Sequence, residues 1–588
     1  MSEFDIIFRL EENDWSSSKE KFFVGAWHPS ATLNVKVMGG AVKNISGDNW
    51  FILSSCANDS AEKTGPLHGE RNQYGEYSKA ILFSGYLLEP SLHTFSTSDK
   101  VFNYFNGSQA SDYNGVFSLV KIEESGGKIE IRSDAFGISP LYFRIHESMI
   151  LFSSNPRFLR MENDSPDLLA WRGLIQSRAL SSDRTLSAEI RRFPCGSIMV
   201  NQGHNLHTLS WFNLSELPAG EKVLDRTAVA DLEDSFRCAV NKCLKLQNGC
   251  NFLPLSSGYD SRRLVAHFND LKVDFESATV RVFQRGYRDL DARYSAQMAR
   301  DFGFRHKVID LPQIEEYIQN DLRRRVLLDA ETSLHTWYVS LIEGLPEGNT
   351  VVFDGLGGDV WGETGYEISD FFKGIHSKRT QKIADHIIDD SFESVFSINM
   401  PSASDVRADI RRYLEVLPES IHLADFAFLL MRTRRAISLG VQQLLPLGHL
   451  VVFPYIDLDY IKTSLNYSPF DKIEKSIQAR CLERFWPQYY SYRGSRNYPK
   501  DLPSEGERIY FEQLSGRFGR MKMEINNQKG MVKFKSLLSK KARIIFRSSC
   551  CSKKALFSRE WYFMGLMELV ARQSRNDFFL EIATAPAE

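Results

Sequence analysis

The sequence is poor in cysteine, and none of its 8 cysteines falls in a C-x-x-C pair. That excludes a disulfide scaffold and the common spacings of a zinc site. Cys550 and Cys551 are adjacent, too close to bridge without strain. No uninterrupted apolar run approaches the roughly 18 residues needed to span a bilayer. Neither sign of charge is in excess, with 72 Lys and Arg against 74 Asp and Glu, so no global field recruits nucleic acid or an acidic membrane. The opening MSEFDIIFRLEEND has acidic residues where a secretory signal would have basic ones. We expect a cytoplasmic protein of a reducing compartment, with no nucleic-acid partner, no transmembrane segment and no internal repeat.

What is present is ample core material: 43% of the 588 residues are hydrophobic, enough for more than one domain. To about residue 210 the pattern is short apolar strands broken by turns, as in 79–88, 115–122, 128–134 and 148–154. This spacing predicts a strand-rich layered domain over 1–212. Pro and Gly without periodicity mark 213–228 as a linker. Helix and strand then alternate: helix 230–244, strand 251–255, helix 261–271, strand 275–283, helix 291–304 and strand 306–310. Alternation of this kind builds a parallel sheet covered by helices, assigned to 229–505. Residues 506–588 read as a helical, basic extension.

The sharpest local feature is Leu255-Ser256-Ser257-Gly258-Tyr259-Asp260-Ser261, between a strand and a helix. Glycine there permits a turn that other residues resist, and small hydroxyl residues let backbone amides approach a phosphate. A helix starting near Ser261 adds its N–H groups and dipole. Asp260 is unwelcome beside phosphates unless a cation intervenes, so it reads as a magnesium ligand. A plain helix-capping turn remains the alternative.

This turn resembles the SGGxDS pyrophosphate loop of ATP-pyrophosphatase (PP-loop) enzymes, with Ser257 in place of the first glycine. Val351 to Asp359, VVFDGLGGD, resembles the SGEGADE element of asparagine synthetases. Arg132 to Phe143 is similar to the RDxFGxxPLYY segment of class II glutamine amidotransferases, and Phe152-Ser153-Ser154 to the FASE strand after it. Asp183 to Gly196 resembles the turn DRTxxxxIxRLPPG, and Phe453 to Asp457 the PFLD element. The chain is thus identified as resembling the asparagine-synthetase superfamily, from about residue 80 to 500.

The resemblance implies an α/β two-domain fold: an N-terminal αββα-type amidotransferase-like sandwich, then a parallel-sheet PP-loop domain with a helical extension. It implies ATP and Mg²⁺, with Asp260 and Asp359 as catalytic metal ligands. Backbone around Leu255, Val280 and Gly355, together with Ser256, Ser257, Gly258, Tyr259, Ser261 and Gly357, would hold the nucleotide. The activity implied is adenylation of a small-molecule or peptide carboxylate, followed by amide formation with an amine or ammonia. A lysine in the later helical region assists the second step in the family; Lys500 is the candidate here, and Arg496 the fallback. A homodimer is compatible with this reading.

The departures matter. Class II glutaminases use an N-terminal cysteine, whereas here Ser2 follows Met1 and the first cysteine is Cys56. A hydroxyl is a poor substitute for a partly ionised thiol, so the first half reads as a scaffold without glutaminase chemistry. Val360 stands where asparagine synthetases have Glu, and Leu450 and Val452 stand where they have Glu-x-Arg. Leu356 stands where β-lactam synthetases have tyrosine. These differences leave open a lasso-peptide-type macrocyclase, or a non-catalytic scaffold or regulator. A tRNA-modifying PP-loop protein is argued against by the amidotransferase-like half.

Other features have bland readings beside sharper ones. Arg517 to Lys554 is strongly basic, with Glu524 its one acid: a solvated helix, or a dock for an acidic peptide, a phosphorylated carrier or a membrane surface. His335 and His306 read as structural histidines, with substrate contact as the alternative for both. Cys238, Cys243 and Cys250 read as buried fillers.

Overall fold

The computed structural model describes residues 3–9, 23–30, 32–38, 42–47, 50–55, 66–71, 77–107, 113–123, 127–161, 164–177, 180–181, 183–202, 205–246, 248–281, 290–310, 338–363, 374–388, 400–437, 448–492 and 580–584. Lys500, Arg496, His335, Ser2, Cys56 and the basic stretch 517–554 lie outside the described residues.

In the first half two antiparallel sheets share one core. The first runs Asn205–Ser210, Ser197–Gln202, Lys128–Ser133, Gly115–Glu123, Tyr77–Leu87 and Leu67–Arg71, with Leu92–His93 pairing beside Tyr77–Leu87. The second runs Arg191–Arg192, Tyr142–His146, Met149–Ser153, Phe23–Trp27, Trp50–Ser55 and Val42–Gly47. Successive strand residues face opposite ways, and Tyr77–Leu87 shows the consequence. Ala80 and Leu82 join Trp27, Trp50, Ile52 and Phe152 in the core that links the sheets. Ile81 and Phe83 face the helix Ser98–Gly107, meeting Val101, Phe102 and Phe105. Each fully buried side chain of this size contributes roughly 1.5–3 kcal/mol.

The second half contains a parallel sheet ordered Arg305–Ile309, Glu276–Val280, Cys250–Pro254, Thr350–Phe353, His449–Val452. Helices Arg226–Leu244, Tyr259–Asp270 and Leu290–Phe302 accompany it, the first started by Asp225, whose side chain accepts from the Ala228 amide. The two halves share one apolar cluster, in which Tyr86, Phe136 and Ile138 of the first join Trp361 and Phe426 of the second.

The alternation of strand and helix over 230–310 is borne out, each element within a few residues of its expected ends. Several expectations need correction. The stretch 213–228, expected to link the halves, is packed: Leu214, Leu217 and Leu224 are buried, and the Leu224 amide donates to Asp471 Oδ2 at 2.8 Å. Its last residues already belong to helix Arg226–Leu244. Within the expected helical extension, Leu580–Thr584 is instead a strand, antiparallel to Glu3–Arg9. Its alternating LEIAT suits a pleated edge. Cys243 is buried as expected, but Cys238 and Cys250 are exposed. Cys238 lies off the buried stripe of its helix, and Cys250 begins its strand at the surface. His306 is structural, bonded to Ser277 Oγ at 2.8 Å, and burial lowers its pKa to about 4. Among the described residues no helix is long and apolar enough to cross a membrane.

Candidate functional site

The parallel sheet changes winding direction between Cys250–Pro254 and Thr350–Phe353, which pair side by side. From the first strand the chain moves towards one edge of the sheet, and from the second towards the other. Such a switch point opens a crevice beyond the strands' carboxyl ends, where ligands of open α/β sheets bind. The two turns singled out in the sequence, 255–258 and 354–357, both lie at that crevice.

The first turn is closed by its own hydroxyls. Ser261 Oγ accepts from the Ser256 amide at 3.1 Å and donates to the Ser256 carbonyl at 3.2 Å. The Gly258 amide donates to Ser256 Oγ at 3.1 Å. Leu255 beneath is pinned to the next strand, its amide donating to the Ala278 carbonyl at 2.9 Å. Ser257 is fully buried, and both its amide, at 2.9 Å, and its hydroxyl donate to Asp291 Oδ1. Serine is thereby accommodated where the resembling loops have glycine. Gly258 departs from expectation: its φ is −67°, open to any residue. A Cβ there would meet one atom closely, Ser256 Oγ at 3.1 Å. Gly258 is the N-cap of helix Tyr259–Asp270 and offers it no side-chain bond.

The second turn fits against the first. A Cβ on Gly355 would lie 3.2 Å from the Ser261 amide nitrogen and 3.3 Å from Asp260 Cβ. A Cβ on Gly358 would lie 2.3 Å from Asp260 Oδ1. Gly357, at φ +92°, reverses the chain and caps the short helix Gly358–Gly362, which carries Asp359. The structure therefore brings Asp260 against the residue preceding Asp359. Val280, 5% exposed, closes the neighbouring strand. Asp359 is half-exposed, and its Oδ2 meets Arg432 Nη1 at 3.5 Å.

Under this turn Asp354 accepts from the Leu356 amide at 2.9 Å and from the Tyr338 hydroxyl at 3.3 Å. Burial pushes the Asp354 carboxyl up to about 6 despite both bonds. Beneath the first turn Glu233 is sandwiched by Arg263 at 3.0 Å and His267 at 2.5 Å, all buried. Burial alone would raise the Glu233 pKa; Arg263 and His267 hold it down to about 2. On the open side Tyr259 stacks with Tyr490 at 6.0 Å, and Lys475 Nζ sits 4.8 Å over the Tyr490 ring.

Magnesium fits this arrangement on the donor chemistry. Mg²⁺ takes hard oxygen ligands, commonly one or two carboxylates with phosphates and water completing its shell. Asp260 lies against Gly358, and Asp359 is the next residue in the chain. Among the described residues no cluster of three or more His, Cys, Asp or Glu suits a protein-enclosed metal. The departures are absorbed as packing: Val360, Leu450 and Val452 are buried, and Leu356 packs partly buried against the core. Asp291, Asp354 and Arg432 were not singled out from sequence. The signals for them are slight: an acid in a helix's first turn, an acid ending an apolar strand, and one arginine among several.

Residues 100–212 match the family profile of a glutamine amidotransferase domain. The chain is 25% identical over 236 residues to asparagine synthetase [glutamine-hydrolyzing] 2 of Bacillus subtilis (strain 168), covering 38% of this chain and 31% of that relative. It thus spans under a third of the curated relative it matches. Among solved structures, glutamine phosphoribosylpyrophosphate amidotransferase from B. subtilis, complexed with ADP and GMP, overlaps 63% of this chain and 72% of its own at 9% identity, with TM-score 0.21. A structure described as the allosteric regulatory enzyme of purine biosynthesis overlaps the same shares, 63% and 72%, at 10% identity and TM-score 0.20. Scores this low do not bear on the fold. The chain is thus similar to a glutamine amidotransferase domain over 100–212 and, over 236 residues, to part of an asparagine synthetase.

Proposed function

We propose that the chain is an ATP-dependent amide-bond ligase that adenylates a carboxylate, releases pyrophosphate and passes the acyl group to an amine or ammonia. The observation that carries this reading is the close fit of Gly355 and Gly358 around Asp260, which joins the two turns at the sheet's switch point. In the first step a carboxylate oxygen attacks the α-phosphorus of ATP. The bond to the β-bridging oxygen breaks, and pyrophosphate leaves. In the second, the amine nitrogen attacks the acyl carbon, the bond to AMP breaks, and the nitrogen loses a proton.

The amides opening helix Tyr259–Asp270 take the phosphate charge, and the Ser256–Ser261 hydroxyl pair fixes their direction. Asp260 and Asp359 would hold magnesium, which supplies charge compensation for the departing pyrophosphate. Lys500, or Arg496, would assist acyl transfer. The first half serves as a scaffold for the second, a role supported by buried polar contacts between them. Asn114 Nδ2 donates to Asp457 Oδ2 at 3.0 Å, and the Tyr86 hydroxyl accepts from the Phe453 amide at 3.0 Å.

The test is ATP–pyrophosphate exchange with fractionated extract as the source of the acid, comparing wild type and Asp260→Ala. Exchange that requires Asp260 establishes adenylation. If folded wild type shows no exchange in any fraction and no magnesium-dependent ATP binding, ligase chemistry is refuted in favour of a non-catalytic binding protein.

A further inference from the structure

The residue facing Asp359 comes from an irregular stretch of helix. Leu429–Thr433 is a π-turn, an insertion in the helical winding of the kind that gathers at functional sites. Leu429, Leu430, Met431 and Thr433 are buried; Arg432 alone of the five turns outward, 41% exposed. Its guanidinium rests 4.6 Å over the Phe428 ring, and Nη1 reaches Asp359 Oδ2 at 3.5 Å.

The backbone at this point is held by the other half of the molecule. Arg434, two residues on, donates from Nε to the Gly137 carbonyl at 3.0 Å, from Nη2 to the Phe193 carbonyl at 2.9 Å, and from Nη1 to Asp183 Oδ1 at 3.2 Å. Arg435 Nη2 donates to the Arg184 carbonyl at 2.9 Å. Consecutive buried arginines thus clamp the π-turn onto the amidotransferase-like domain, and Arg432, two residues before the first of them, projects to the crevice.

Charge balance says what such a residue is for. A triphosphate carries more negative charge than one magnesium ion cancels, and Asp260 and Asp359 add to the excess. The contact of Arg432 with Asp359 is long and partly solvated, hence weak and easily exchanged. A planar guanidinium is well shaped for phosphate oxygens. Resting on the proposed nucleotide site, we infer that Arg432 is a pyrophosphate-recognition residue. Asp359 holds it beside the crevice, and it turns to the β- and γ-phosphate oxygens when Mg·ATP enters. The amidotransferase-like half, through Arg434 and Arg435, positions it.

The test uses the full chain and titration calorimetry with three probes: Mg·ATP, magnesium pyrophosphate and adenosine. Arg432→Met is expected to weaken Mg·ATP and magnesium pyrophosphate alike, by roughly tenfold for a lost charge-assisted bond, while adenosine binding is unchanged. Arg432→Lys is expected to recover part of the loss, because it restores charge without the fork. Equal pyrophosphate affinity in wild type and either variant overturns the inference and leaves the nucleotide site standing. If Arg432→Met does not fold, the Lys variant decides by itself, since a purely structural pair with Asp359 predicts unchanged pyrophosphate affinity. A wild-type chain that binds neither Mg·ATP nor magnesium pyrophosphate overturns both readings together.

Discussion

Asp260 lies so close to Gly358 that a Cβ there would stand 2.3 Å from the aspartate's Oδ1. The glycine is a spatial requirement, because Gly358 opens a short helix that alanine enters readily. Gly358→Ala must therefore displace the Asp260 carboxylate and leave the backbone path intact. A misplacement of about 1 Å at such a centre costs on the order of 100-fold in rate. ATP–pyrophosphate exchange should fall by about that factor, with the thermal midpoint close to wild type. Exchange at the wild-type rate would mean that Asp260 does not act from this position.

Asp354 sets a pH dependence. Its carboxyl titrates near 6 in the folded chain because burial disfavours the charged form, against about 3.9 when unfolded. The folded state thus binds the proton more tightly, and that stabilisation is full below about pH 4. It is lost as pH rises through 6, by about 3 kcal/mol in all. Asp354→Asn keeps an acceptor for the Leu356 amide and removes the titration. Denaturant titrations at several pH values should show a flatter profile from pH 4 to 7 in the variant. Parallel profiles would show that Asp354 does not titrate differently on folding.

Much of this was legible in the sequence. Strands such as Gly115–Glu123 announce themselves by apolar runs between turn residues, and Asp260 and Asp359 by small residues crowded after a strand. What sequence could not supply is what each glycine is for: Gly357 is required by its positive φ and Gly358 by space, whereas Gly258 has an ordinary φ and one close neighbour. Nor could it bring Asp291 to Ser257, 34 residues away, or Arg432 to Asp359, 73 away. Those meetings depend on where the crossovers of the sheet return the chain. Leu580–Thr584 was missed for the same reason, since a five-residue strand is defined by its partner Glu3–Arg9.

Glu233 neutralises Arg263 in a fully buried setting, and the two stand or fall together. Glu233→Gln would leave the guanidinium, held 4.1 Å over Phe236, without a counter-charge. Removing one partner of such a pair costs about 3–5 kcal/mol. The wild-type profile should carry the opposite sign to that of Asp354. Glu233 titrates near 2 when folded and about 4.3 when unfolded, so its contribution is present above pH 4 and lost as pH falls through 2. Urea titrations of wild type and Glu233→Gln at pH 7 and pH 3 check both points. A variant as stable as wild type at pH 7 would contradict the assignment.

Arg434 joins the halves by bonds that water cannot replace, because the side chain is 1% exposed and reaches two carbonyls and a carboxylate. Arg434→Met removes the cation and leaves the Gly137 and Phe193 carbonyls short of a donor. The Gly137 carbonyl keeps one bond, from Arg192 at 2.8 Å, so the loss is partial on that side. We expect destabilisation of about 3 kcal/mol. It should appear where the halves meet: amides around 134–139 and 429–437 should exchange faster with deuterium, and the core of the antiparallel sheets should keep its protection. A second signature separates positioning from bulk stability. At temperatures where Arg434→Met remains folded, magnesium pyrophosphate should bind more weakly although no residue that touches it has changed. Unchanged affinity with faster exchange at the seam would confine Arg434 to holding the domains together, and Arg432 would then keep its place without help from the first half.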